Sequence, residues 1–419
     1  MIVIKGGRAL TPDGWDTVDV AIEGTAVIEL GTDLPGSAII DASGCLVGPG
    51  FVDLHTHLRE PGQTWKEDIT SGSRAGAAGG FTALVAMPNT DPVVDSLDLV
   101  AEIRMRSQAV GLLDVIPSAA VTIARRGEAL TDLEDLYHAG VRVFTDDGGP
   151  VSNPELLLEA MKRLSTMDRA VLSQHAEDTT RTSEGSMHEG DVSRGLGLAG
   201  WASEAESDLV TRDLEMVAET GANYHVQHVS SLLTVDLLRA AKDRGLPVTA
   251  EVTPHHLALD HAVIDGSDAN YKMYPPLRSA ADREALVAAL LDGTVDIVAT
   301  DHAPHAKEEK AVPFVDAPRG VIGLETAAAV IWETCRDPDV LFDRLSVAPA
   351  RIGSIEAHGH PVAPGNTANL VVFDPEGTWT ATSFKSKSSN SPFAGRTFQG
   401  QVRSTMFEGR VTYRNGEKE

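Results

Sequence analysis

Short apolar runs alternate with longer helical stretches between about residues 48 and 355. The helical stretches, such as 232–244 and 280–291, repeat their apolar residues at intervals of three and four. Each apolar run has the length and β-branched content of a strand that is buried on both faces. The eight runs are FVDLHTH (51–57), FTALVAMPN (81–89), LDVIPSAAV (113–121), VRVFTDD (141–147), AVLSQHAE (170–177), YHVQHVS (224–230), PVTAEVTPHH (247–256) and VDIVATDHAPH (295–305).

This alternation predicts an α/β fold with a parallel sheet and right-handed helical crossovers. Eight strand–helix units predict closure into a (β/α)8 TIM-type barrel. An open, doubly wound sheet is the alternative, but no glycine-rich phosphate loop follows the first strand. Several helical stretches end at a glycine where we expect a left-handed C-cap: Gly79, Gly140, Gly221, Gly245 and Gly293.

The two ends of the chain have a different pattern. Residues 1–47 and 356–419 contain shorter runs of alternating apolar and polar residues, separated by Gly, Asn and Asp. A period of two predicts antiparallel strands with one buried face. Because both termini share it, we expect one small flanking β-sandwich domain, 1–47 plus 356–419, beside a catalytic barrel domain, 48–355.

Composition narrows the possible partners and location. The 419 residues include 35 basic and 61 acidic side chains, a formal net charge of −26. A field of this sign repels nucleic acid and anionic membrane surfaces, so we expect neither as a partner. No apolar run approaches the ~18 residues that cross a bilayer. The first residues lack a signal-peptide pattern, and two cysteines form no disulfide framework, so we expect a cytoplasmic protein.

The first apolar run ends in His55-Thr56-His57. Side chains alternate between the faces of a strand, so both imidazoles lie on one face and can bind one metal ion, most simply zinc. Arg59 keeps the same alternation and could hold a substrate carboxylate beside the metal. Two buried histidines with ordinary hydrogen bonds and no metal would show the same motif. The residues at the other strand ends decide between a metal-binding pair and a structural one.

Polar side chains recur where the other predicted strands end, at the rim where (β/α)8 enzymes carry their chemistry. These residues are Asn89, Asp146, Asp147, His175, His228, Asp301, His302 and His305. Four histidines and two carboxylates match a centre of two metal ions with a shared bridging ligand. Two zinc ions would polarise a carbonyl and acidify a bridging water, and Asp301 could carry a proton to a leaving nitrogen.

The motifs HTHLREPG, MPNT, FTDDG, SQHAED, HVS, ATDHAPH, GLETA (323–327) and NSPFAG (390–395) resemble the amidohydrolase superfamily and, within it, class I bacterial dihydroorotases. The resemblance covers nearly the whole chain. It implies zinc-dependent, reversible cyclisation of N-carbamoyl-L-aspartate to L-dihydroorotate in pyrimidine biosynthesis. A metal-bridging hydroxide would be the nucleophile and Asp301 the general acid/base.

The same resemblance implies a set of zinc ligands: His55, His57 and Asp301 for one ion, His175 and His228 for the other, and Asp147 as the bridge. Strand alternation puts Asp146 and Asp147 on opposite faces and leaves the choice between them open. Related hydantoinases and dihydropyrimidinases carry a carboxylated lysine near this strand end, whereas residues 141–147 contain no lysine. That difference favours a carboxylate bridge.

For the substrate, the resemblance points to Arg59, Asn89 and His305. Arg59 can form a bidentate bond with a carboxylate. Asn89 offers both a donor and an acceptor, and His305 can donate to a carboxylate or carbonyl.

Two positions depart from the family's pattern. Tyr274 stands where an asparagine usually precedes Pro-Pro-Leu-Arg, and Arg319 stands where an aromatic usually precedes Gly320. A phenol cannot reproduce the paired donor and acceptor of an amide. These three residues are therefore candidate substrate contacts whose geometry differs from that of relatives. The charged stretch 303–320 contains prolines and is expected to be a mobile loop over the site.

Two other functions stay open. Another cyclic amidase, an allantoinase or a hydantoinase, would be compatible with Tyr274 and Arg319. A catalytically silent subunit of aspartate transcarbamoylase would lose metal ligands, whereas this chain keeps all six positions. The resemblance also permits a homo-oligomer, expected to be a dimer, and a complex with aspartate transcarbamoylase.

Overall fold

The computed structural model describes residues 1–182 and 185–416. The strands are β1 (Ile2–Thr11), β2 (Gly14–Glu23), β3 (Ala26–Gly31), β4 (Ala38–Asp41), β5 (Leu46–Pro49), β6 (Phe51–Thr56), β7 (Phe81–Ala86), β8 (Asp114–Pro117), β9 (Val143–Phe144), β10 (Val171–Gln174), β11 (Met187–His188), β12 (Gly200–Trp201), β13 (Tyr224–Val226), β14 (Val248–Val252), β15 (Ile297–Val298), β16 (Leu370–Thr380), β17 (Thr397–Phe407) and β18 (Arg410–Arg414). The α-helices are α1 (Ile69–Ala78), α2 (Leu97–Val110), α3 (Leu133–His138), α4 (Pro154–Leu164), α5 (Thr179–Thr182), α6 (Asp191–Leu196), α7 (Glu204–Thr220), α8 (Leu232–Asp243), α9 (Pro254–Ala258), α10 (Ala280–Asp292), α11 (Lys307–Lys310), α12 (Ala327–Cys335), α13 (Pro338–Phe342) and α14 (Ala348–Ile352).

Eight parallel strands follow one another in the order β6-β7-β8-β9-β10-β13-β14-β15. β6, β7 and β8 form one sheet, and the other five form a second sheet. Parallel bridges connect the two sheets at both edges, Ala119 with Phe144 and Thr56 with His302. Strand neighbours therefore continue around the whole set, and each predicted run contains one of these strands.

Helices connect these strands as the periodicity predicts. α8 and α10 cover the predicted stretches 232–244 and 280–291. At the start of α10, Ser279 and Asp282 form a reciprocal capping box, which satisfies two backbone N–H groups. α10 ends at Gly293 with a φ of 83°, the predicted left-handed cap. No described helix is both long enough and apolar enough to cross a membrane.

The prediction of a left-handed cap is wrong at Gly79. Its φ is −80°, and the left-handed conformation falls on Gly80, with a φ of 91°. Gly79 meets a different requirement, because a Cβ there would lie 2.2 Å from the carbonyl oxygen of Leu324. The glycine permits close approach of the segment that follows β15.

The strands from both termini form one sheet in the order β18-β17-β16-β5-β1-β2-β3, with β4 paired to β1. The two termini meet where β5 pairs antiparallel with β16. The pairing of β5 with β16 brings strands of both termini into one sheet, and a sandwich arrangement of these strands stays a prediction. β1 also runs parallel to β4 and β5, against the antiparallel prediction. β5 crosses the predicted domain boundary at residue 47.

An aromatic cluster packs the terminal sheet against the amino ends of the parallel strands. The rings of Phe51 and Phe81, which begin β6 and β7, have centroids 5.8 Å apart. Phe342 packs on Phe51 at 5.6 Å, and Trp15 of β2 packs edge-on against Phe342 at 5.3 Å. Full burial of a phenylalanine contributes roughly 1.5–3 kcal/mol. This contact covers the amino ends and leaves the carboxyl ends free for a site.

A short parallel pair, β11 and β12, lies in the long connection between β10 and β13. Each strand has two residues, which is too short for a periodic pattern to predict. The pair places the Trp201 side chain beside Tyr274, with ring centroids 5.3 Å apart. The connection thereby reaches the carboxyl ends of the parallel strands.

Candidate metal centre and active site

The carboxyl ends of six parallel strands surround a cavity of about 160 Å³. It is lined by His57, Arg59, Asn89, Asp147, Gly148, His175, His228, Tyr274, Asp301, Ala303, His305, Arg319 and Gly320. The lining contains every predicted metal ligand and substrate contact except His55, and the predicted rim residues Asp146 and His302 lie outside it. The His55 side chain is fully buried and contacts two lining carboxylates.

Two groups of potential metal ligands share Asp147. His55 and His57 belong to one group, and His175 and His228 belong to the other, with the donor atoms of each group within 4.8 Å of one another. Asp147 Oδ1 lies 3.1 Å from His55 Nε2 and 3.7 Å from His175 Nδ1. A carboxylate between two histidine pairs can bridge two metal ions.

Asp301 approaches the first histidine pair from the end of β15. Its Oδ1 lies 3.0 Å from His57 Nε2 and 3.6 Å from His55 Nε2. The carboxylate also lines the cavity. It can therefore touch both a metal ion held by these imidazoles and a molecule in the cavity.

Asp146, the alternative to Asp147, lies outside the cavity lining. Its carboxylate accepts the Thr122 backbone N–H at 3.0 Å and also bonds the Thr122 hydroxyl. Burial raises the pKa of Asp146. The structure thus places Asp147, and not Asp146, between the histidines, as strand alternation permits.

The environment of His55 fits a metal ligand. Its Nδ1 lies 2.6 Å from Glu251 Oε1, while its buried Nε2 has no hydrogen-bond partner. A neutral imidazole donates from one nitrogen only, so Glu251 keeps the proton on Nδ1 and leaves the Nε2 lone pair for a metal ion. Glu251 is itself held by His225 Nε2 at 3.1 Å.

Two further imidazoles are oriented in the same way. His57 Nδ1 lies 2.9 Å from Asn89 Oδ1, which leaves its Nε2 toward Asp301. His175 Nε2 lies 3.3 Å from Glu177 Oε2, which leaves its Nδ1 toward Asp147. A set of imidazole nitrogens and carboxylate oxygens with such supporting acceptors fits zinc.

Most groups of the metal-free site carry a charge at neutral pH. Burial opposes ionisation of Asp147, but the neighbouring His55 and His57 hold its pKa well below the usual range. At Asp301, burial likewise opposes ionisation, but the neighbouring His55 and His57 lower the pKa to about 2. Burial lowers the pKa of His228 to about 3. At neutral pH both carboxylates are ionised and His228 is neutral, the forms that bind metal ions. Burial opposes protonation of His55 and His175, but the neighbouring Asp147 raises the pKa of His55 well above its usual range and helps to raise that of His175 to about 9, so a metal ion would displace protons from both imidazoles.

Three site residues that are not glycine have a left-handed backbone. The φ angles are 59° at Arg59, 32° at His228 and 44° at Asp301. Such conformations cost about 1–3 kcal/mol each and persist where the surrounding structure holds them. Their concentration at one end of the parallel strands is typical of a functional site.

Arg59 is available for an anionic substrate. Its Nε donates to the Pro304 carbonyl at 3.2 Å, and it forms no ion pair with any described residue. Burial lowers its pKa to about 10, so the guanidinium remains charged at neutral pH. The side chain can therefore bind a carboxylate in the cavity.

Two predicted substrate contacts have polar groups engaged elsewhere. Asn89 bonds His57 through Oδ1 and donates to Asp147 Oδ2 at 3.2 Å through Nδ2. The Tyr274 hydroxyl donates to Glu177. Both residues line the cavity, but their hydrogen bonds orient the histidine ligands and Asp147.

The other substrate contacts belong to the loop 303–320. His305 Nε2 lies 2.9 Å from the Arg319 carbonyl, and its Nδ1 has no hydrogen-bond partner. Burial lowers the pKa of His305 to about 2, and its Nε2 lies against the loop carbonyl, so its contact with a substrate stays a prediction. Arg319 stacks over Trp201 at 4.6 Å and over Tyr274 at 5.1 Å.

Two buried lysines hold this loop. Lys272 Nζ donates to the Phe314 carbonyl at 2.7 Å, and Lys310 Nζ donates to the Pro318 carbonyl at 2.8 Å. The Gly320 backbone N–H donates to the Lys272 carbonyl at 2.9 Å. The predicted mobility of the loop stays a prediction.

Glu177 and Glu251 are two supporting carboxylates that were not among the predicted site residues. Glu177 follows His175 by two residues, and Glu251 lies in the run that ends in TPHH. A search for carboxylates near the predicted strand ends would have found both. His302, which lies on the predicted rim, bonds Glu67 at 3.3 Å and is outside the cavity lining.

Comparisons with known proteins agree with this geometry. A family model described as Dihydro-orotase-like matches residues 44–232. The dihydroorotase of Mycobacterium tuberculosis is 43% identical over 430 aligned positions, which cover 99% of each chain. The dihydroorotase of Streptomyces coelicolor is 41% identical, again over 99% of each chain.

Solved structures of cyclic amide hydrolases share the fold. The dihydropyrimidinase from Brevibacillus agri superposes with a TM-score of 0.84 at 25% identity, over 99% of this chain and 95% of that one. The L-hydantoinase from Arthrobacter aurescens gives a TM-score of 0.85 at 24% identity, over 100% and 97%. The architecture is therefore of the amidohydrolase type.

Proposed function

Because the chain belongs to the dihydroorotase family, we propose that it interconverts N-carbamoyl-L-aspartate and L-dihydroorotate in pyrimidine biosynthesis. The observation that carries the proposal is the position of Asp147, shared by two histidine pairs beside the unpaired Arg59. The first feature supports hydrolysis of an amide, and the second supports a substrate with a carboxylate.

The proposed cofactor is two zinc ions per chain. One would be held by His55, His57 and Asp301, the other by His175 and His228, with Asp147 between them. When bound, such ions polarise a carbonyl and make water acidic near neutral pH. Glu251 and Glu177 keep their imidazoles oriented for this role.

Asp301 is the proposed proton carrier. Its low pKa keeps it ionised at neutral pH, and it is exposed to the cavity. In ring opening, Asp301 takes a proton from the attacking water and passes it to the ring nitrogen as the C–N bond breaks. In ring closure, it takes the proton of the carbamoyl nitrogen.

Arg59 is the proposed carboxylate-binding residue. A bidentate bond from its guanidinium would place the substrate ring with its amide toward the metal ligands. A substrate that fills this small cavity would displace most of its water, which would strengthen this bond. Tyr274, Arg319 and Gly320 would shape the remaining wall.

A second candidate is a hydantoinase-like cyclic amidase, favoured by the structural likeness to the dihydropyrimidinase from Brevibacillus agri. A substrate panel separates the two. L-Dihydroorotate and dihydrouracil differ by one carboxylate, and allantoin and hydantoin test other rings.

We expect zinc-supplied protein to open L-dihydroorotate at least about 100-fold more efficiently than dihydrouracil, followed by ring-amide ultraviolet absorbance. Arg59→Met should remove most of this preference and leave dihydrouracil hydrolysis little changed. Turnover of allantoin or dihydrouracil without L-dihydroorotate would reverse the assignment.

Further parts of the proposal concern the whole chain. We propose a closed (β/α)8 barrel at 48–355 with residues 1–47 and 356–419 as a flanking domain, supported by the bridges at both sheet edges. Cytoplasmic location is supported by two unpaired cysteines, Cys45 and Cys335. A homodimer and a complex with aspartate transcarbamoylase stay predictions.

A further inference from the structure

The C-terminal segment contributes one buried amide to the edge of the cavity. Asn390 lies between β16 and β17 and has 4% of its surface exposed. Its Nδ2 donates to the carbonyl oxygens of Ala303 and Gly320, both at 3.1 Å. Its Oδ1 accepts the His305 backbone N–H at 3.1 Å, and its own carbonyl accepts the Ile322 N–H at 3.0 Å.

Three of these four hydrogen bonds require a side-chain amide. Two N–H donors face two backbone carbonyls, and one oxygen faces a backbone N–H, which uses both ends of the group. An aspartate would turn an oxygen toward the two carbonyls, and an alanine would leave three buried backbone groups unpaired. The segments joined in this way, 303–305 and 320–322, are far apart on the loop that lines the cavity.

The two joined segments are in close contact. Gly320 has a φ of 123°, and a Cβ at this position would lie 2.7 Å from the Ala303 Cβ and 3.2 Å from His305 Nε2. There is no room for the segments to approach further. Without Asn390, one direct backbone bond would still join the segments, from the Ala303 N–H to the Val321 carbonyl at 2.8 Å, while the ends at His305 and Gly320 could separate and widen the cavity.

The segment that carries Asn390 is anchored separately by two acidic side chains. Glu325 accepts the backbone N–H groups of Lys385 at 2.8 Å and Ser386 at 3.1 Å. Glu67 accepts the Lys387 N–H at 3.1 Å. The position of Asn390 is therefore set by the barrel and does not follow the loop.

We propose that Asn390 is a positioning residue, which holds both ends of the cavity-lining loop at the spacing that the substrate requires. This inference rests on the proposed function for the identity of the substrate. Asn390 contacts none of the metal ligands, so its loss should weaken substrate binding more than the chemical step. It acts through His305 and Gly320.

The test compares Asn390→Ala and Asn390→Ser with the control Asn369→Ala. Asn369 is also buried and bridges backbone, donating to the Ala357 carbonyl at 3.1 Å and accepting the Glu408 N–H at 2.8 Å. It directly precedes β16 of the terminal sheet, outside the cavity lining. A purely structural effect should therefore be shared by both asparagines.

For Asn390→Ala we expect KM for L-dihydroorotate to rise about 10- to 100-fold, with kcat within about threefold and metal content unchanged. Asn390→Ser keeps one hydroxyl, so its KM should lie between those of wild type and Asn390→Ala. If Asn390→Ala does not fold, the KM of Asn390→Ser tests the proposal instead. Asn369→Ala should lose stability but keep the wild-type KM. An unchanged KM in the folded Asn390 variants, or an equal rise in Asn369→Ala, would overturn the proposal.

Hydrogen exchange of the backbone amides in 303–322 gives a readout that needs no substrate. Exchange at the His305 amide, which loses its side-chain acceptor, should be faster in the Asn390 variants and unchanged in Asn369→Ala. If wild-type protein fails to turn over L-dihydroorotate, the proposed function fails, and the exchange result still decides the role of Asn390. Unchanged exchange in all variants would contradict the positioning role of Asn390.

Discussion

At the residue scale, three of the four metal-facing imidazoles have their second nitrogen held by another polar group. Glu251 holds His55, Asn89 holds His57 and Glu177 holds His175. Such partners fix the tautomer, and their loss typically lowers metal affinity about 10- to 100-fold. Asn89 and Tyr274, through His57 and Glu177, thus support the metal ligands, and their contacts with a substrate stay predictions.

If Asp301 carries the proton, its loss should lower turnover much more than metal binding. Asp301→Ala should lower turnover of L-dihydroorotate by about 100- to 10,000-fold, because a positioned acid/base contributes that much. Metal content should fall far less, since four imidazoles and Asp147 remain. Turnover and bound metal are measured on the same sample.

The control for this variant is Asp213→Asn. Asp213 is a fully buried carboxylate that accepts the Tyr224 hydroxyl at 2.7 Å, outside the cavity lining. The control should lose stability but keep turnover per folded molecule. Equal losses of metal and turnover in Asp301→Ala would refute the proton-transfer role.

At the element scale, all eight parallel strands lie within runs that hydrophobic patterning predicts. Patterning succeeds there because these strands are buried on both faces and bounded by glycine-rich turns. It fails for β11 and β12, whose two residues carry no period. The bridge of Asn390 could not be predicted, since it depends on where a distant segment folds back.

Glu325 anchors the segment that carries Asn390 and should make the free energy of unfolding depend on pH. Burial raises the pKa of Glu325 from 4.5 to about 7. Between about pH 4.5 and 7, the folded state keeps a proton that the unfolded chain has lost, so the free energy of unfolding falls as pH rises. Glu325→Gln keeps an acceptor for the backbone N–H groups and removes this dependence.

Urea unfolding of wild type and Glu325→Gln at about pH 5 to 8 measures the effect. From the low to the high end of this range, the free energy of unfolding of the variant should increase relative to that of the wild type by on the order of 1–3 kcal/mol. The control is Glu376→Gln, an exposed glutamate on β16. A difference between Glu325→Gln and wild type that does not change with pH, or that shrinks, would contradict the assignment.

At the scale of the whole molecule, both chain ends support one site at the opposite end of the parallel strands. The terminal sheet packs on the amino ends through Trp15 and Phe342, while the C-terminal segment reaches the carboxyl ends through Asn390. The net charge of −26 repels an anionic substrate at long range. Binding therefore depends on local cations, above all Arg59.

The central claim is that two histidine pairs sharing Asp147 form a two-metal centre for ring opening of L-dihydroorotate. The most direct test adds zinc stepwise to chelator-treated protein while turnover of L-dihydroorotate is recorded. We predict no turnover without metal and a rise that saturates at about two equivalents per chain. Turnover that survives metal removal, saturation at one equivalent, or inactivity of the fully loaded protein would contradict the account.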